Sequence, residues 1–432
     1  MQARIALLSL PVWLLVAGVV PAGPSRADDG APGMETPHRE TRVYWDRGVN
    51  VDVRRFGLLE QVIGPASELL LHVRTGYRLS LDGAAYAGDD RFVATSDSGG
   101  LRRLYLTVAG EFWPWRRPVR FYLEIGAIGL QFAMDDVYVV FPGIPYLGDL
   151  RVGQAALPMS LDSVASSYAR PFMEKSLPVS AFVPSSKAGI QLANRTARQN
   201  LTWAFGWFAD GTNTDDGEDN NSPTRVAGRL TWVMSADDGA DVPLVHLGGY
   251  GSYMYSSGGR IRYSSRPESH WAAKLFDTGD IDGRGAVVLG YEAAVAHGPA
   301  SVQTELIGTW VQGREAGDHF FTGTYVLGTW SLTGEPRPYD RENGRFAAVT
   351  PERPVTPGSR NPGAWEAALR LSRLDLTNGG VRGGQGIEVM PGLNWYLRRN
   401  LRVQANYGYS HVRDGPQNGN LHLWQVRIDL TA

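Results

Sequence analysis

The stretch Leu401-Arg402-Val403-Gln404-Ala405-Asn406-Tyr407-Gly408-Tyr409-Ser410 changes polarity at nearly every step. Successive side chains of an extended chain point to opposite sides. Leu401, Val403, Ala405, Tyr407 and Tyr409 therefore share one face, and Arg402, Gln404, Asn406 and Ser410 the other. Further upstream, Trp365, Ala367, Leu369 and Leu371 interleave with Glu366, Arg370 and Ser372 in the same way. About sixteen segments read like this once an N-terminal leader is set aside, and none is apolar for long enough to be a membrane helix. Repeated segments of about 10 residues with a period of two are the pattern of a barrel with lipid outside and water inside. The expected fold is all-β: a transmembrane antiparallel β-barrel of about sixteen strands over residues 68–432.

The expected strands begin at Glu68–Leu81, Arg103–Phe112, Val119–Gly126 and Val137–Phe141, and close with Trp365–Leu374, Ile387–Leu397, Leu401–Val412 and Leu421–Leu430. If the first runs outward, odd-numbered connections should be long extracellular loops and even-numbered ones short turns. Residues 82–102, 156–187, 209–223 and 256–285 fit the first class; 113–118, 195–200, 297–300 and Arg398–Asn400 fit the second. Residues 332–364 break the rule, being a long connection where a turn is expected. A sandwich or propeller would explain the alternation, but the chain carries no blade repeat.

Residues 1–27 have the pattern of a secretory signal peptide: Arg4, an apolar run from Ile5 to Val20, and Ser25-Arg26-Ala27 as a small-x-small site. Residues 28–67 read as a flexible lead-in. Cysteine is absent, which removes thiolate metal ligands and cysteine nucleophiles. Mean hydropathy is only −0.23, ordinary for a barrel with a wet inner face. Removing Arg4 and Arg26 with the leader takes the net charge from −2 to −4, so nucleic acid is not an expected partner. Only Lys175, Lys187 and Lys274 are lysines, leaving arginine as the dominant cation and the residue suited to planar contact with oxyanions.

Assigning the apolar face to lipid turns Arg74, Arg78, Arg120, Arg225, Arg229, Arg370, Arg402 and Arg427 inward, along with Glu124, Glu292, Glu305 and Glu366. Two readings stay open for these arginines: pairing with inward acids to brace the wall, or raising the local anion concentration. The loop sequence Arg260-Ile261-Arg262-Tyr263-Ser264-Ser265-Arg266 places Arg260 and Arg262 on one side of an extended segment, spaced to pass an oxyanion along. The acidic residues 209–223 lack the spacing of a Ca²⁺ loop, and the eight histidines are scattered. No metal site, cofactor site or catalytic constellation is therefore expected.

Several ordered motifs resemble the phosphate-selective porin O and P family. These include Leu101-Arg102-Arg103-Leu104-Tyr105-Leu106, Met134-Asp135-Asp136-Val137-Tyr138 and Val152-Gly153-Gln154. Phe172-Met173-Glu174-Lys175-Ser176-Leu177, Leu332-Thr333-Gly334-Glu335-Pro336-Arg337, Gly363-Ala364-Trp365-Glu366 and Gly392-Leu393-Asn394-Trp395-Tyr396 follow. The resemblance implies a homotrimeric sixteen-stranded barrel in the outer membrane, passing small inorganic anions by passive diffusion, with the third loop folded inward. It also implies an arginine ladder, here Arg78, Arg102, Arg103, Arg260, Arg262 and Arg266, leading to a constriction with Arg120, Lys175 and Asp135. Ser163 stands where the family pattern can carry lysine, and three lysines cannot form a lysine cluster. The expectation is thus a general anion preference, phosphate and related oxyanions included; the alternative is a non-conducting barrel with a structural or surface-binding role through its long loops.

Overall fold

The computed structural model describes residues 38–45, 48–56, 69–89, 97–113, 117–128, 131–209, 224–234, 242–314 and 317–432. The expected signal peptide, the start of the lead-in, its end at 57–67, and nearly all of the acidic loop lie outside the described residues. A hairpin of β1 (His38–Trp45) and β2 (Val49–Phe56) comes first. The wall opens with β3 (Leu69–Gly88), β4 (Ser98–Phe112), β5 (Val119–Ile128), β6 (Gln131–Ile144) and β7 (Gly148–Ala155). Two short helices, α1 (Leu161–Val164) and α2 (Leu177–Phe182), precede β8 (Lys187–Arg195), β9 (Leu201–Ala209), β10 (Thr224–Met234) and β11 (Leu244–Tyr255). The two-residue strands β12 (Arg260–Ile261), β13 (Ser264–Ser265) and β14 (Phe276–Asp277) lead to β15 (Ile281–His297), β16 (Ala300–Gly313) and β17 (His319–Ser331). A small hairpin of β18 (Tyr339–Asp340) and β19 (Arg345–Phe346) then precedes β20 (Ala364–Asn378), β21 (Val381–Arg398), β22 (Leu401–Arg413) and β23 (Gly419–Thr431).

Setting aside β1, β2 and the five two-residue strands leaves sixteen wall strands, each antiparallel to its neighbours. The last, β23, returns to β3 with Arg427 opposite Asp82 and Leu430 opposite Leu79. Closure satisfies the backbone of both end strands, which is what a sheet in lipid requires. The polarity of the wall is inverted relative to a soluble protein. Along β16, Val302, Leu306 and Trp310 are exposed, while Ser301, Gln303, Glu305 and Thr309 are buried. Rim aromatics add to the lipid-facing band: Trp365 stacks on Trp395 at 5.0 Å, and Trp310 meets Phe320 at 4.5 Å with the rings tilted.

Three expectations need correction. Residues 28–67 are not uniformly a flexible lead-in, because β2 pairs with the lower half of β3, Asn50 opposite Arg74 and Asp52 opposite His72. Polar composition concealed the alternation of Val49, Val51 and Val53 there. The loop placed at 82–102 shrinks to 89–97, since β3 and β4 continue through small residues such as Gly83, Ala84, Gly99 and Gly100. Odd connections are not all long: the strand bounds leave only 314–318, 379–380 and 414–418 for three of them.

The long connections turn into the barrel. Residues 156–186, joining β7 to β8, form the third loop, and most of its side chains are buried. Leu157, Met159, Phe172, Leu177, Val179 and Phe182 of this loop pack with Ile261, Tyr263, Leu275 and Phe276 of the 256–280 loop. They cover Val288, Ile307, Val311, Phe321, Leu374, Met390, Val412 and Leu423 on the inner wall. The barrel therefore holds an apolar core of its own, stabilised as in a soluble protein by apolar area removed from water. From the opposite end, the 332–363 connection also enters. Its Arg337 donates to Gln303 Oε1 at 2.8 Å, and Tyr339 hydrogen-bonds His246 at 2.5 Å. Together these segments cover one side of the interior and displace the open space toward β3–β9.

Candidate functional site

Two chambers occupy that open side. The outer one, about 330 Å³, lies between β3–β6 and the two inward loops. The inner one, about 590 Å³, lies between β3–β9 and the 332–363 connection. The outer chamber is lined by Arg78, Arg102, Arg103, Arg170, Arg266, Arg345, Lys175 and Lys274, against Asp135, Asp136, Glu174 and Glu268. Eight cations face four carboxylates, and serines fill much of the remaining lining.

Two features keep those cations from being wholly neutralised. Glu174 is shared: Arg102 reaches it at 3.2 and 3.4 Å, Arg103 at 3.8 Å and Arg427 at 2.8 Å. Burial alone would raise the Glu174 carboxyl, but Arg102, Arg103 and Arg427 overcome that and hold it well below the usual range. In addition, Arg102 Nη1, Arg103 Nη1, and Arg170 Nε and Nη1 are buried N–H groups with no acceptor among the described residues. Burial lowers the Arg170 pKa while Asp162 and Glu174 act against it. Buried donors left without an acceptor are costly unless something else accepts from them, and an oxyanion has lone pairs enough for several. His270 in the same chamber is pushed down to about 3, by burial and then by Arg102, so it lines the space as a neutral ring.

The inner chamber differs. Arg120 pairs with Asp149, Arg195 with Glu342 at 2.6 Å, and Arg229 with Glu292 at 2.7 Å. Arg151 lies over the Tyr138 ring at 4.5 Å, and Tyr138 stacks on Tyr122 at 5.4 Å. Three of its arginines are thus in ion pairs, while Arg120 Nε and Arg151 Nε are buried without an acceptor among the described residues.

Of the residues singled out from sequence, Arg78, Arg102, Arg103, Arg266, Lys175 and Asp135 come together around the outer chamber. Arg78 bonds Ser167 Oγ at 3.3 Å and lies 3.7 Å from Glu124, while Arg266 donates to Ala272 O at 3.0 Å. Asp135 accepts from Ser186 at 3.2 Å. Arg120 belongs to the inner chamber instead. Arg260 and Arg262 line neither: Arg260 is 57% exposed and 3.8 Å from Asp280, and Arg262 grips Asp277 through two bonds of 2.8 and 2.5 Å. Their shared face exists because Ile261 and Tyr263, between and beside them, are fully buried. Arg225 bonds Ser252 Oγ at 3.0 Å, and Arg370, Arg402 and Arg427 are buried in ion pairs.

Sequence reasoning missed Arg170, Glu174, Glu268, Lys274 and Arg345 as lining residues. Glu174 sat inside a quoted motif, and Lys274 was marked by the scarcity of lysine. Arg170 and Arg345 gave no signal of their own, since each is placed by an inserted segment and not by strand periodicity.

The family model for phosphate-selective porin O and P matches residues 73–428. Porin O of Pseudomonas aeruginosa is 28% identical over 131 residues, which is 28% of this chain and 28% of that protein's length. Among solved structures, an anion-selective porin from Comamonas acidovorans superposes with a TM-score of 0.54 at 13% identity, covering 84% of this chain and 100% of that one. The trimer form of in-vitro folded OmpT, an outer membrane protein of Vibrio cholerae, gives 0.51 at 11% identity, covering 83% and 99%. At such identities the superpositions speak for the fold: a porin barrel. Because the family match runs through nearly the whole wall, from the first strand to the last, the chain belongs to the phosphate-selective porin O and P family of the outer membrane.

Proposed function

We propose that this chain is a passive porin for small anions, phosphate and related oxyanions included, working as a homotrimer without catalytic chemistry. The observation that carries the reading is the outer chamber, where, among the described residues, eight cations meet four carboxylates and Arg102, Arg103 and Arg170 hold buried donors with no acceptor. A field of that sign raises the local anion concentration and repels cations, without contact specificity being needed. Arg78, Arg102, Arg103, Arg266 and Lys175 would form the approach, with Asp135 limiting how tightly an anion is held; Arg120 would act further in. Arg260 and Arg262 would serve only as outlying charges. The family, the anion-selective neighbour and the trimeric neighbour support the reading. The test is the reversal potential of the purified protein in a KCl gradient across a planar bilayer. Anion preference, with chloride current reduced by added phosphate, is expected; cation preference contradicts it. The inward packing of three segments favours one rival, a closed barrel acting through its surface, and a folded trimer with no conductance would establish that instead.

A further inference from the structure

Four residues line both chambers: Asp136 of β6, Ala156 and Val164 of the third loop, and Arg345 of β19. They mark the neck where the chambers meet, and Arg345 is its basic member. We infer that Arg345, delivered from the periplasmic end by the 332–363 connection, is the cation that passes an anion from the outer chamber to the inner one and so helps set selectivity. The inference rests on the anion-porin reading and gives the irregular connection a task.

The position of Arg345 is built from both sides of the membrane. Its Nη1 donates to Val164 O at 2.9 Å, tying it to the third loop, and its Nε lies 3.3 Å from Asp340 Oδ2. A guanidinium has five N–H donors in a fixed fork. Those two bonds leave others for the lumen, and the side chain is 38% exposed. The backbone beneath it is held rigidly. Gly344 has φ +62°, and a Cβ there would come within 2.6 Å of Thr231 Oγ1 and 2.8 Å of Thr202 Oγ1 on the wall. Gly344 O also accepts from Arg229 Nη2 at 2.8 Å. Arg337, just before β18, lies over the Phe346 ring at 4.0 Å. Only glycine allows the hairpin so close to β9 and β10, and that approach puts the next residue at the neck. Asp136 stands on the same ring as an acidic group that accepts from Ser186 Oγ at 3.0 Å, so the two residues together set the charge of the neck.

The test compares Arg345→Met, Arg345→Lys and Asp136→Asn with the parent protein by reversal potential and single-channel conductance, each trimer checked by its heat-modifiable band. Met keeps the length without the charge and should lower the anion-to-cation permeability ratio about threefold to tenfold, while Lys retains most of it. Measured at pH 8, Asp136→Asn should move the ratio the other way, which answers the case in which a position-345 variant fails to assemble. An anion-selective parent with unchanged ratios in Arg345→Met and Asp136→Asn overturns this inference alone. A parent that is cation-selective or silent overturns the porin reading and this one with it.

Discussion

Arginines on opposite sides of the same barrel interior have opposite fates. On β3 and β4, Arg78, Arg102 and Arg103 border open space, although Arg102 and Arg103 are largely buried and reach Glu174 of the third loop. On β20, β22 and β23, Arg370, Arg402 and Arg427 obey the same inward alternation yet are at most 1% exposed. Arg370 holds Glu268 and the Glu174 carbonyl; Arg402 holds Asp429 and the carbonyls of Tyr168 and Arg170 at 2.8 and 3.0 Å; Arg427 grips Asp82 through two bonds of 2.7 Å. The difference is whether an inserted loop covers the guanidinium wholly or leaves part of it on the chamber. An inward guanidinium under a loop is a clamp, and one beside the loop is a lining charge.

The largest effect is expected on the packed side. Arg370→Met strands Glu268 in the interior and should cost about 3–5 kcal/mol, read as a lower temperature or urea concentration for barrel unfolding. Pairing it with Glu268→Met should recover much of that loss, because two apolar partners leave no buried charge. On the open side the readout changes. Arg103→Gln should lower the anion-to-cation permeability ratio about threefold or more while moving the unfolding temperature little. A large stability loss there would erase the distinction between clamp and lining charge.

A pH experiment tests the residue that belongs to both sides. The Glu174 pKa is lowered on folding, so its contribution is fully present above about 4.5 and is lost as pH falls below that toward the folded value. Unfolding temperature should drop between pH 5 and 3, and Glu174→Gln should flatten that drop. The smallest effect is expected at the rim. Arg260→Ala should alter the permeability ratio less than about twofold, and even less in high salt, because the group is exposed and screened. A larger change would return Arg260 to the anion path.

The wall was legible from sequence because a period of two is imposed locally, residue by residue. Leu401–Ser410 therefore reads correctly, as do the inward directions of Arg74, Arg78 and Arg229. What lies inside the wall was not legible by the same means. Ile307, Val311, Leu374 and Leu423 are inward and apolar, contrary to a wholly wet lumen, and their partners are Phe182, Tyr263 and Phe276 on distant loops. No local pattern announces such partners, since a loop's fold is decided by the surface it lands on. The resemblance to a family helped by implying an inward third loop. It could not separate the exposed Arg260 from the lining Arg266 six residues on. The long 332–364 connection was noticed as an irregularity, but the reach of Arg345 to Val164 depends on Gly344 lying against Thr202 and Thr231.

The seam between β3 and β23 joins residues 78–88 to residues 421–431, so the barrel cannot shut until the end of the chain is in hand. Until then, Phe172, Phe182, Tyr263 and Phe276 have no inner wall to cover them. Pairings this distant in sequence form slowly, because loop closure must precede any gain from the contacts. Before closure the chain therefore carries apolar side chains that have no wall to bury them, the state in which chains are prone to associate with one another. Seam-closing is the step at which a pore and its filling are made together.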